Sequence, residues 1–343
     1  MSAPARAPAF WETGGWPSLL LAPVAALWGA VAAARLARPP SVHAPVPVIA
    51  IGNFTAGGAG KTPTTVALVA LARRAGFSPA VMTRGYGGAL AGPVRVDLTR
   101  HRAADVGDEA LLHARHAPTI VARDRAAGLR LLDDCGADLL ILDDGFQNPT
   151  LAKDLSLVVV DRGHGLGNGR VIPAGPLRAP LGAQLDRASA LLTISSGEPD
   201  APSLGSLLAE AERRRLPVLS ARLALHEPER LAGRRVLAFA GIGRPAKFAA
   251  TLAAAGAEVV DLVPFADHRL LEEADAERLL ARAIERGLDL VTTEKDAARL
   301  AGSTTPALMR LALASHVVAV DLVLDDEAAL LDRLTALRRP GGR

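Results

Sequence analysis

Cysteine, tyrosine and lysine are scarce in this sequence. Cys135 is the only cysteine among 343 residues, which excludes an internal disulfide framework and a cysteine-based metal site. A lone cysteine fits a reducing compartment, and we expect it to serve as a small buried hydrophobic residue. Tyr86 is the only tyrosine, and lysine occupies four of the 39 basic positions: Lys61, Lys153, Lys247 and Lys295.

Basic runs and aromatic clusters are also missing. The net charge is +3 and the pI is near 9.5, but the arginines are scattered and aromatic residues make up 3% of the chain. Nucleic-acid-binding proteins concentrate basic and aromatic side chains on one surface, so the composition predicts no nucleic-acid partner. An anionic substrate or a membrane surface suits this charge better, and no protein partner is predicted. The length and the 50% hydrophobic content exclude a disordered protein and allow two domains.

One long uncharged run begins at Pro17 and ends at Ala34, and Arg35 and Arg38 follow it. As a helix its 18 residues would span about 27 Å, slightly less than the roughly 30 Å hydrocarbon layer. This predicts a membrane-embedded or interfacial helix; a soluble hydrophobic helix and a signal peptide are the alternatives. A signal peptide fits poorly because no small-x-small cleavage site follows. All three tryptophans lie here, as interfacial anchors would: Trp11, Trp16 and Trp28.

Residues 48–63, VIAIGNFTAGGAGKTP, run from a β-prone segment through a glycine-rich turn into a helical pattern. Glycines let backbone N–H groups surround a phosphate, and the new helix presents its positive end to the anion. Lys61 adds a point charge, and the Thr62 hydroxyl can bind Mg²⁺. The pattern predicts a phosphate-binding P-loop, although Thr55 stands at the first glycine position. The nucleotide-binding residues predicted are Thr55, Ala56, Gly57, Gly58, Ala59, Gly60, Lys61 and Thr62. An ordinary glycine-rich turn is the alternative.

An apolar segment over 139–142 ends in two carboxylates, Asp143 and Asp144. An acid at the carboxyl end of a buried parallel strand can meet the Mg²⁺ held by a P-loop hydroxyl. We therefore predict a Mg²⁺ site formed by Thr62, Asp143 and Asp144. Two acids at a strand end could instead form an ordinary turn, but the P-loop upstream favours the metal site.

Further loops follow predicted strands at positions where α/β proteins bind ligands. The segment 84–88, RGYGG, contains Tyr86 and could be a ligand loop or a plain loop. Asp108 and Glu109 open a predicted helix, and capping by Asp108 would explain that acid without a catalytic role. The Pro/Gly-rich loops 162–169 and 173–178 need a reason to be ordered, and a bound ligand is one.

Strand and helix patterns alternate again from about Leu231, which indicates a second parallel sheet. The predicted fold class is α/β: a P-loop NTPase-like parallel-sheet domain, a second, smaller α/β domain and an N-terminal membrane-associated helix. The expected domains are residues 1–40 for that helix, 41–225 for the P-loop core and 226–343 for the smaller domain. The final helix, about 326–337, could pack back on the core.

Several motifs in order resemble those of the tetraacyldisaccharide 4′-kinase (lipid A 4′-kinase) family: GNFTAGGAGKTP, RGYGG, VGDEA, ILDDGFQN, PAGPLR, FAGIGRPAKF, FADH and TTEKDA. The resemblance implies phosphorylation of the 4′-hydroxyl of a tetraacyldisaccharide 1-phosphate, a lipid A precursor, with ATP and Mg²⁺. It places the chain at the cytoplasmic face of the bacterial inner membrane. It also implies that Asp108 and His268 are the catalytic pair. Asn148 and Ala179 depart from the family pattern, in which His and Glu are common there, so no role is transferred to them.

Other classes lack their defining residues. A deviant-P-loop ATPase of the membrane-switch kind would have lysine at Ala56, and a GTPase would need an [NT]-K-x-D motif. In residues 293–296, TEKD, lysine and aspartate are adjacent, which is the wrong spacing. A non-enzymatic membrane protein would have no use for a P-loop together with a strand-end acid pair.

Overall fold

The computed structural model describes residues 7–195, 197–267 and 269–338. Its centre is a nine-stranded sheet that is parallel except at its two edges. Apolar residues cover both faces of the central strands, as expected where helices pack on both sides of a parallel sheet. The strands in this sheet, in chain order, are β1 (Val48–Asn53), β2 (Pro79–Thr83), β3 (Val94–Arg95), β4 (Thr119–Val121), β5 (Leu139–Leu142), β6 (Leu155–Asp161), β7 (Ala190–Ser195), β8 (Val218–Leu225) and β13 (Val320–Leu324).

The spatial order is β13-β8-β7-β6-β1-β5-β2-β4-β3, so β1 lies at the middle. All six residues of β1 are buried, and it pairs in parallel with β5 and β6. The carboxyl ends of these three strands therefore meet at one edge of the sheet, where α/β proteins place ligands.

A second, four-stranded sheet is entirely parallel, in the order β10-β9-β11-β12. It is formed by β9 (Arg235–Ala240), β10 (Glu258–Pro264), β11 (Asp289–Thr293) and β12 (Ser315–Val318). The repeated strand and helix patterns of the second half thus form the parallel sheet that they predict.

The helices precede, connect and follow these strands in the chain. They are α1 (Phe10–Thr13), α2 (Trp16–Leu20), α3 (Ala22–Ala37), α4 (Lys61–Arg74), α5 (Ala103–Val106), α6 (Asp108–Ala114), α7 (Arg125–Gly128), α8 (Leu181–Leu185), α9 (Pro202–Arg213), α10 (Pro245–Ala254), α11 (Glu273–Arg286), α12 (Glu294–Leu300), α13 (Pro306–Ala314) and α14 (Glu327–Ala336). Short 3₁₀ turns occur at Leu129–Leu131, Asp133–Cys135 and Pro228–Arg230.

The end of the chain returns to the first sheet. The sequence predicts one strand near 317–320, but the structure has two: β12 in the second sheet and β13, which pairs antiparallel with β8. Leu330 and Leu334 of α14 are buried in the same core as the β1 residues Ile49 and Ile51. Sheet membership therefore changes after residue 225 and again before residue 320, whereas the sequence suggests a single boundary near 226.

The N-terminal apolar segment is not one continuous helix. Helix α2 ends at Leu20, and α3 begins at Ala22 with Pro23 in its first turn, where proline is tolerated. Within the described residues no helix is both long and apolar enough to span a bilayer.

These N-terminal helices pack on the Pro/Gly-rich loops 162–178. Trp11 Nε1 donates to Pro173 O (3.0 Å), Ser18 Oγ donates to Ala174 O (2.6 Å), and Asn168 Nδ2 donates to Phe10 O (2.8 Å). The protein itself thus supplies much of the order for which the sequence suggested a bound ligand.

Candidate active site

The glycine-rich loop connects β1 to α4, as the sequence predicts. Gly57 has φ 116° and Gly60 has φ 90°, values that side-chain-bearing residues rarely adopt. A Cβ at Gly60 would also lie 2.8 Å from Ile194 Cδ1. The loop is braced from β1, because Asn53 Nδ2 donates to Thr55 O (2.7 Å) and Gly57 O (3.1 Å). Its shape is therefore set before any ligand binds.

Lys61 opens α4 and points back at the loop. Its Nζ donates to Asn53 Oδ1 (3.2 Å) and lies 3.7 Å from Asp144 Oδ1. Arg178 Nη1 donates to the Asp144 carboxylate (3.1 Å), and Arg178 Nε donates to Thr55 O (3.1 Å). Burial raises the pKa of Asp144, but Lys61 and Arg178 outweigh it, and the pKa is lowered. An ionised Asp144 therefore faces the loop.

A second carboxylate, Glu109, lies next to the Thr62 hydroxyl. Thr62 Oγ1 donates to Glu109 Oε1 (3.3 Å), and Lys295 Nζ of α12 donates to the same oxygen (2.6 Å). Burial raises the pKa of Glu109, but the charge and hydrogen bond of Lys295 bring it down to about 2. Burial lowers the pKa of Lys295, but Glu109 and Asp108 outweigh it and raise that pKa. Both groups are charged at neutral pH.

Asp143 contacts a buried histidine. Its Oδ2 is 3.0 Å from His113 Nε2 of α6, and the two side chains are 1% and 0% exposed. Arg125 Nη2 donates to the Asp143 backbone carbonyl (3.1 Å). Of the three predicted metal ligands, the structure thus brings Thr62 and Asp144 to the loop and places Asp143 against a buried histidine.

Asp108 is buried at the first position of α6, after the N-cap Gly107, and its Oδ1 accepts from Glu109 N (2.9 Å) at the start of the helix. Arg299 Nε of α12 donates to Asp108 Oδ2 (2.8 Å), and Nη2 contacts the same oxygen. Asp108 also borders a small cavity lined in part by Tyr86 and Gly87. His268 lies outside the described residues, but Asp267 Oδ1 is 3.8 Å from Arg299 Nη2, which places the preceding residue near Asp108.

Among the described residues, three sets of ion pairs join the first sheet to the second at this edge. Besides the contacts of Lys295 and Arg299, Arg244 and Lys247 of the α10 region contact Asp161 at the end of β6; the Lys247 Nζ distance is 2.9 Å. Burial raises the pKa of Asp161, but these two cations lower it below the ordinary value.

Four side chains at this site have no role that the sequence predicts: Asn53, Glu109, Arg178 and Lys295. Glu109 and Lys295 are 186 residues apart, and Arg178 and Thr55 are 123 apart, so only the folded chain shows these pairings. Asn53, in contrast, binds residues within eight positions of it.

Asn148 and Ala179, the two residues that depart from the family pattern, form hydrogen bonds to residues nearby in the chain. Asn148 Oδ1 accepts from Thr150 N (2.8 Å) within a local turn. Ala179 is buried, and its carbonyl accepts from Gln184 Nε2 (2.8 Å).

Oxygen donors gather next to Lys61 as a Mg²⁺ ion requires. The Thr62 hydroxyl and the ionised carboxylates of Glu109 and Asp144 surround the start of α4. Mg²⁺ prefers one or two carboxylates together with phosphate oxygens and water. These residues therefore fit a magnesium ion.

A parallel sheet with a glycine-rich loop at the end of its central strand and charged carboxylates beside the loop lysine is typical of α/β proteins that bind a phosphorylated ligand. Comparison with known proteins gives the particular family. The chain belongs to the tetraacyldisaccharide-1-P 4′-kinase family, whose model matches residues 17–338.

Relatives at about half identity cover almost all of the chain. A tetraacyldisaccharide 4′-kinase of Methylobacterium sp. (strain 4-46) is 52% identical over 338 residues, which are 97% of this chain and 98% of the relative. One from Rhodopseudomonas palustris (strain BisA53) is 51% identical and covers 94% and 93%. The crystal structure of Aquifex aeolicus LpxK in complex with ATP has the same fold, with a TM-score of 0.70 at 24% identity; the match covers 94% of this chain and 99% of that one.

Proposed function

We propose that this kinase transfers the γ-phosphoryl group of ATP to the 4′-hydroxyl of a tetraacyldisaccharide 1-phosphate, a lipid A precursor. Membership of the family over residues 17–338 carries the proposal. The loop at 55–62 supports it, because its preformed backbone and the start of α4 suit the phosphates of a nucleotide. The Aquifex aeolicus protein, which shares the fold, was crystallised with ATP.

Each charged group at the loop has a role in this proposal. Lys61 offsets negative charge that develops on the transferring phosphoryl group, and Arg178 holds both the loop and Asp144 in place. Thr62, Asp144 and Glu109 would hold Mg²⁺, which supplies charge neutralisation and alignment of the phosphates. Asp143, which the sequence suggested as a ligand, is not needed for this set.

Asp108 is the proposed general base. Its carboxylate is buried, paired with Arg299 and next to the cavity bordered by Tyr86, so it can accept the proton of a sugar hydroxyl placed there. His268, outside the described residues, is the proposed partner that orients Asp108. Both Arg299 and the segment around 267 belong to the second domain, so the base is assembled where the two domains meet.

The N-terminal helices are the proposed contact with the cytoplasmic face of the inner membrane. Seven apolar side chains on α2 and α3 are between 53% and 75% exposed: Trp16, Leu19, Leu20, Val24, Leu27, Trp28 and Val31. Single exposed apolar residues are common, but a contiguous apolar surface indicates a partner. Tryptophan and a nearby Arg35 suit a headgroup layer, so we expect these helices to lie in the interface.

Transfer of ³²P from γ-labelled ATP to a lipid A disaccharide precursor in detergent micelles tests the reaction. The wild-type chain should label the lipid, and Lys61→Ala should lower kcat by about 10² or more, as expected for a preorganised charge. Arg230→Ala, which removes an exposed arginine that pairs with Glu227, is the matched control and should retain full activity. More than about a tenth of wild-type kcat in Lys61→Ala would contradict the loop's assignment.

A further inference from the structure

The buried contact between His113 and Asp143 links two segments that both lead to the site. His113 Nε2 and Asp143 Oδ2 lie 3.0 Å apart, a hydrogen-bonding distance. His113 Nδ1 and Asp143 Oδ1 have no hydrogen-bond partner among the described residues. The one hydrogen bond between these side chains is therefore the main polar restraint on both.

Each member of the pair stands next to a charged group at the loop. His113 lies four residues after Glu109 on α6, so the two side chains share one face of the helix. Asp144 directly follows Asp143 and has φ 50°, a left-handed conformation that turns its side chain in a different direction from that of its neighbour. The pair thus connects the helix that carries Glu109 to the strand end that carries Asp144.

The distance between those two carboxylates matters because one contacts Thr62 and the other lies near Lys61, both at the start of α4. Glu109 Oε1 is 3.3 Å from Thr62 Oγ1, and Asp144 Oδ1 is 3.7 Å from Lys61 Nζ. A buried polar pair is often no more stabilising than an apolar pair of similar volume, since both groups lose their hydration. What a hydrogen bond adds is direction and a fixed separation.

We propose that His113 and Asp143 are a positioning pair that fixes the separation of Glu109 and Asp144, and that Asp143 is not a metal ligand. This rests on the proposed Mg²⁺–ATP site. His113 and Asp143 touch neither the nucleotide nor the ion in this arrangement. They act through the helix and strand end whose carboxylates do.

Conservative and apolar replacements separate positioning from direct ligation. Asp143→Asn keeps an oxygen that accepts from His113, and His113→Gln keeps an N–H donor at similar reach. Asp143→Leu and His113→Leu remove the hydrogen bond and retain an apolar filling. Asp144→Asn is the reference for loss of a direct ligand.

Calorimetric titration of each full-length variant with ATP, in EDTA and in excess Mg²⁺, gives the decisive readout. We expect both leucine variants to weaken Mg²⁺-dependent ATP binding by about 10- to 100-fold, as outer groups of metal sites do, with binding in EDTA unchanged. The double leucine variant should be scarcely worse than either single one. Asp143→Asn and His113→Gln should bind like the wild type, and thermal unfolding should show that all of them fold.

Two outcomes would overturn the proposal that His113 and Asp143 are a positioning pair. Equal loss of Mg²⁺-dependent binding in Asp143→Asn and Asp144→Asn would make Asp143 a direct ligand. Equal weakening of the leucine variants with and without Mg²⁺, or none, would leave the contact a purely structural one. These titrations need no lipid acceptor, so they test the positioning pair even if the wild type labels no lipid. Failure to label the lipid would refute the proposed substrate and not the positioning pair.

Discussion

At the scale of the residue, Asp108 is the side chain on which the proposed chemistry depends. We expect Asp108→Asn to lower kcat by a factor on the order of 10² or more, because an amide cannot accept the proton. The amide oxygen can still accept from Arg299, so the fold should survive. Asp326→Asn, at the start of α14, is the control: it keeps an oxygen for Ala329 N and should turn over normally.

A double-mutant cycle tests whether Asp108 acts together with His268. If they are one unit, Asp108→Ala and His268→Ala should each lower kcat strongly, and the double variant should be scarcely worse than the poorer single one. Steady-state kinetics on the four proteins gives the answer. Near-normal turnover of Asp108→Asn, or simple additivity in the cycle, would refute the coupled base.

Glu109 gives a pH-dependent contribution to stability with a definite sign. Its pKa in the folded protein is about 2, below the ordinary 4.5, chiefly because Lys295 outweighs the effect of burial. The ionised form is therefore favoured by folding, and the gain is present above about pH 4.5 and lost as the pH falls toward 2. We expect the difference in Tm between the wild type and Glu109→Gln to be constant above about pH 5 and to shrink below it.

Thermal unfolding at a series of pH values measures this difference. Glu229→Gln removes an exposed carboxylate as a control and should show almost no difference at any pH. A Glu109→Gln difference that grows as the pH falls would show that the carboxylate is not stabilised by Lys295.

Residue type and motif spacing identified the groups at the site but not their partners. Lys61 and Thr62 could be assigned because strand, glycines and helix follow one another locally. Asp108 and Arg299 are 191 residues apart, and Asp143 and His113 are 30 apart, so their pairing depends on how α6, β5 and α12 pack. The sequence also does not indicate which of the two neighbouring acids, Asp143 or Asp144, turns toward the loop.

At the scale of the element, periodic strands and helices were predictable and the edges were not. Helix α4 follows the glycine-rich loop, and a second parallel sheet follows residue 231, as the sequence predicts. The apolar N-terminal segment was predicted as one helix, but it divides at Leu21, where Pro23 begins a new helix. Hydrophobicity alone could not predict this break between two helices, because the helices pack on the loop 162–178, which is distant from them in sequence.

The exposed face of α2 and α3 predicts membrane binding that point charges should remove. Leu20 and Leu27 are 71% and 70% exposed, so Leu20→Glu with Leu27→Glu should change stability by less than about 0.5 kcal/mol. The same change should release the protein from vesicles that contain anionic lipid, because it places charge in the interface.

Vesicle co-sedimentation compares this variant with a matched one on the second domain. Ile284 and Leu313 are 81% and 86% exposed, and Ile284→Glu with Leu313→Glu should leave binding unchanged. Loss of binding in the second variant, or retention in the first, would place the contact elsewhere.

At the scale of the whole molecule, ion pairs hold the two sheets together beside the site. Asp161 is 7% exposed and faces both Arg244 and Lys247, whereas Asp200 forms an exposed pair with Arg162. Asp161→Asn should lower the free energy of unfolding by about 2 kcal/mol. Among the described residues it leaves the partly buried Lys247 without a carboxylate, and Arg244 keeps the Glu198 carboxylate at 3.5 Å. Asp200→Asn should cost less than about 1 kcal/mol.

Urea unfolding of both variants provides the comparison, and equal effects would show that Asp161 does not tie the domains. The pKa of Asp161 is lowered, so its contribution should persist above the ordinary value of 3.8 and disappear in stronger acid.

The return of β13 to the first sheet has a consequence for synthesis on the ribosome. The core around β1 includes Leu330 and Leu334, which come after every strand of the second sheet in the chain. Most domains fold from the N-terminus onward as they emerge. Here the core of the first sheet is completed only when Leu330 and Leu334 have been made. A nascent chain that stops after residue 319 would lack β13, so β8 would be an unpaired sheet edge and a template for aggregation.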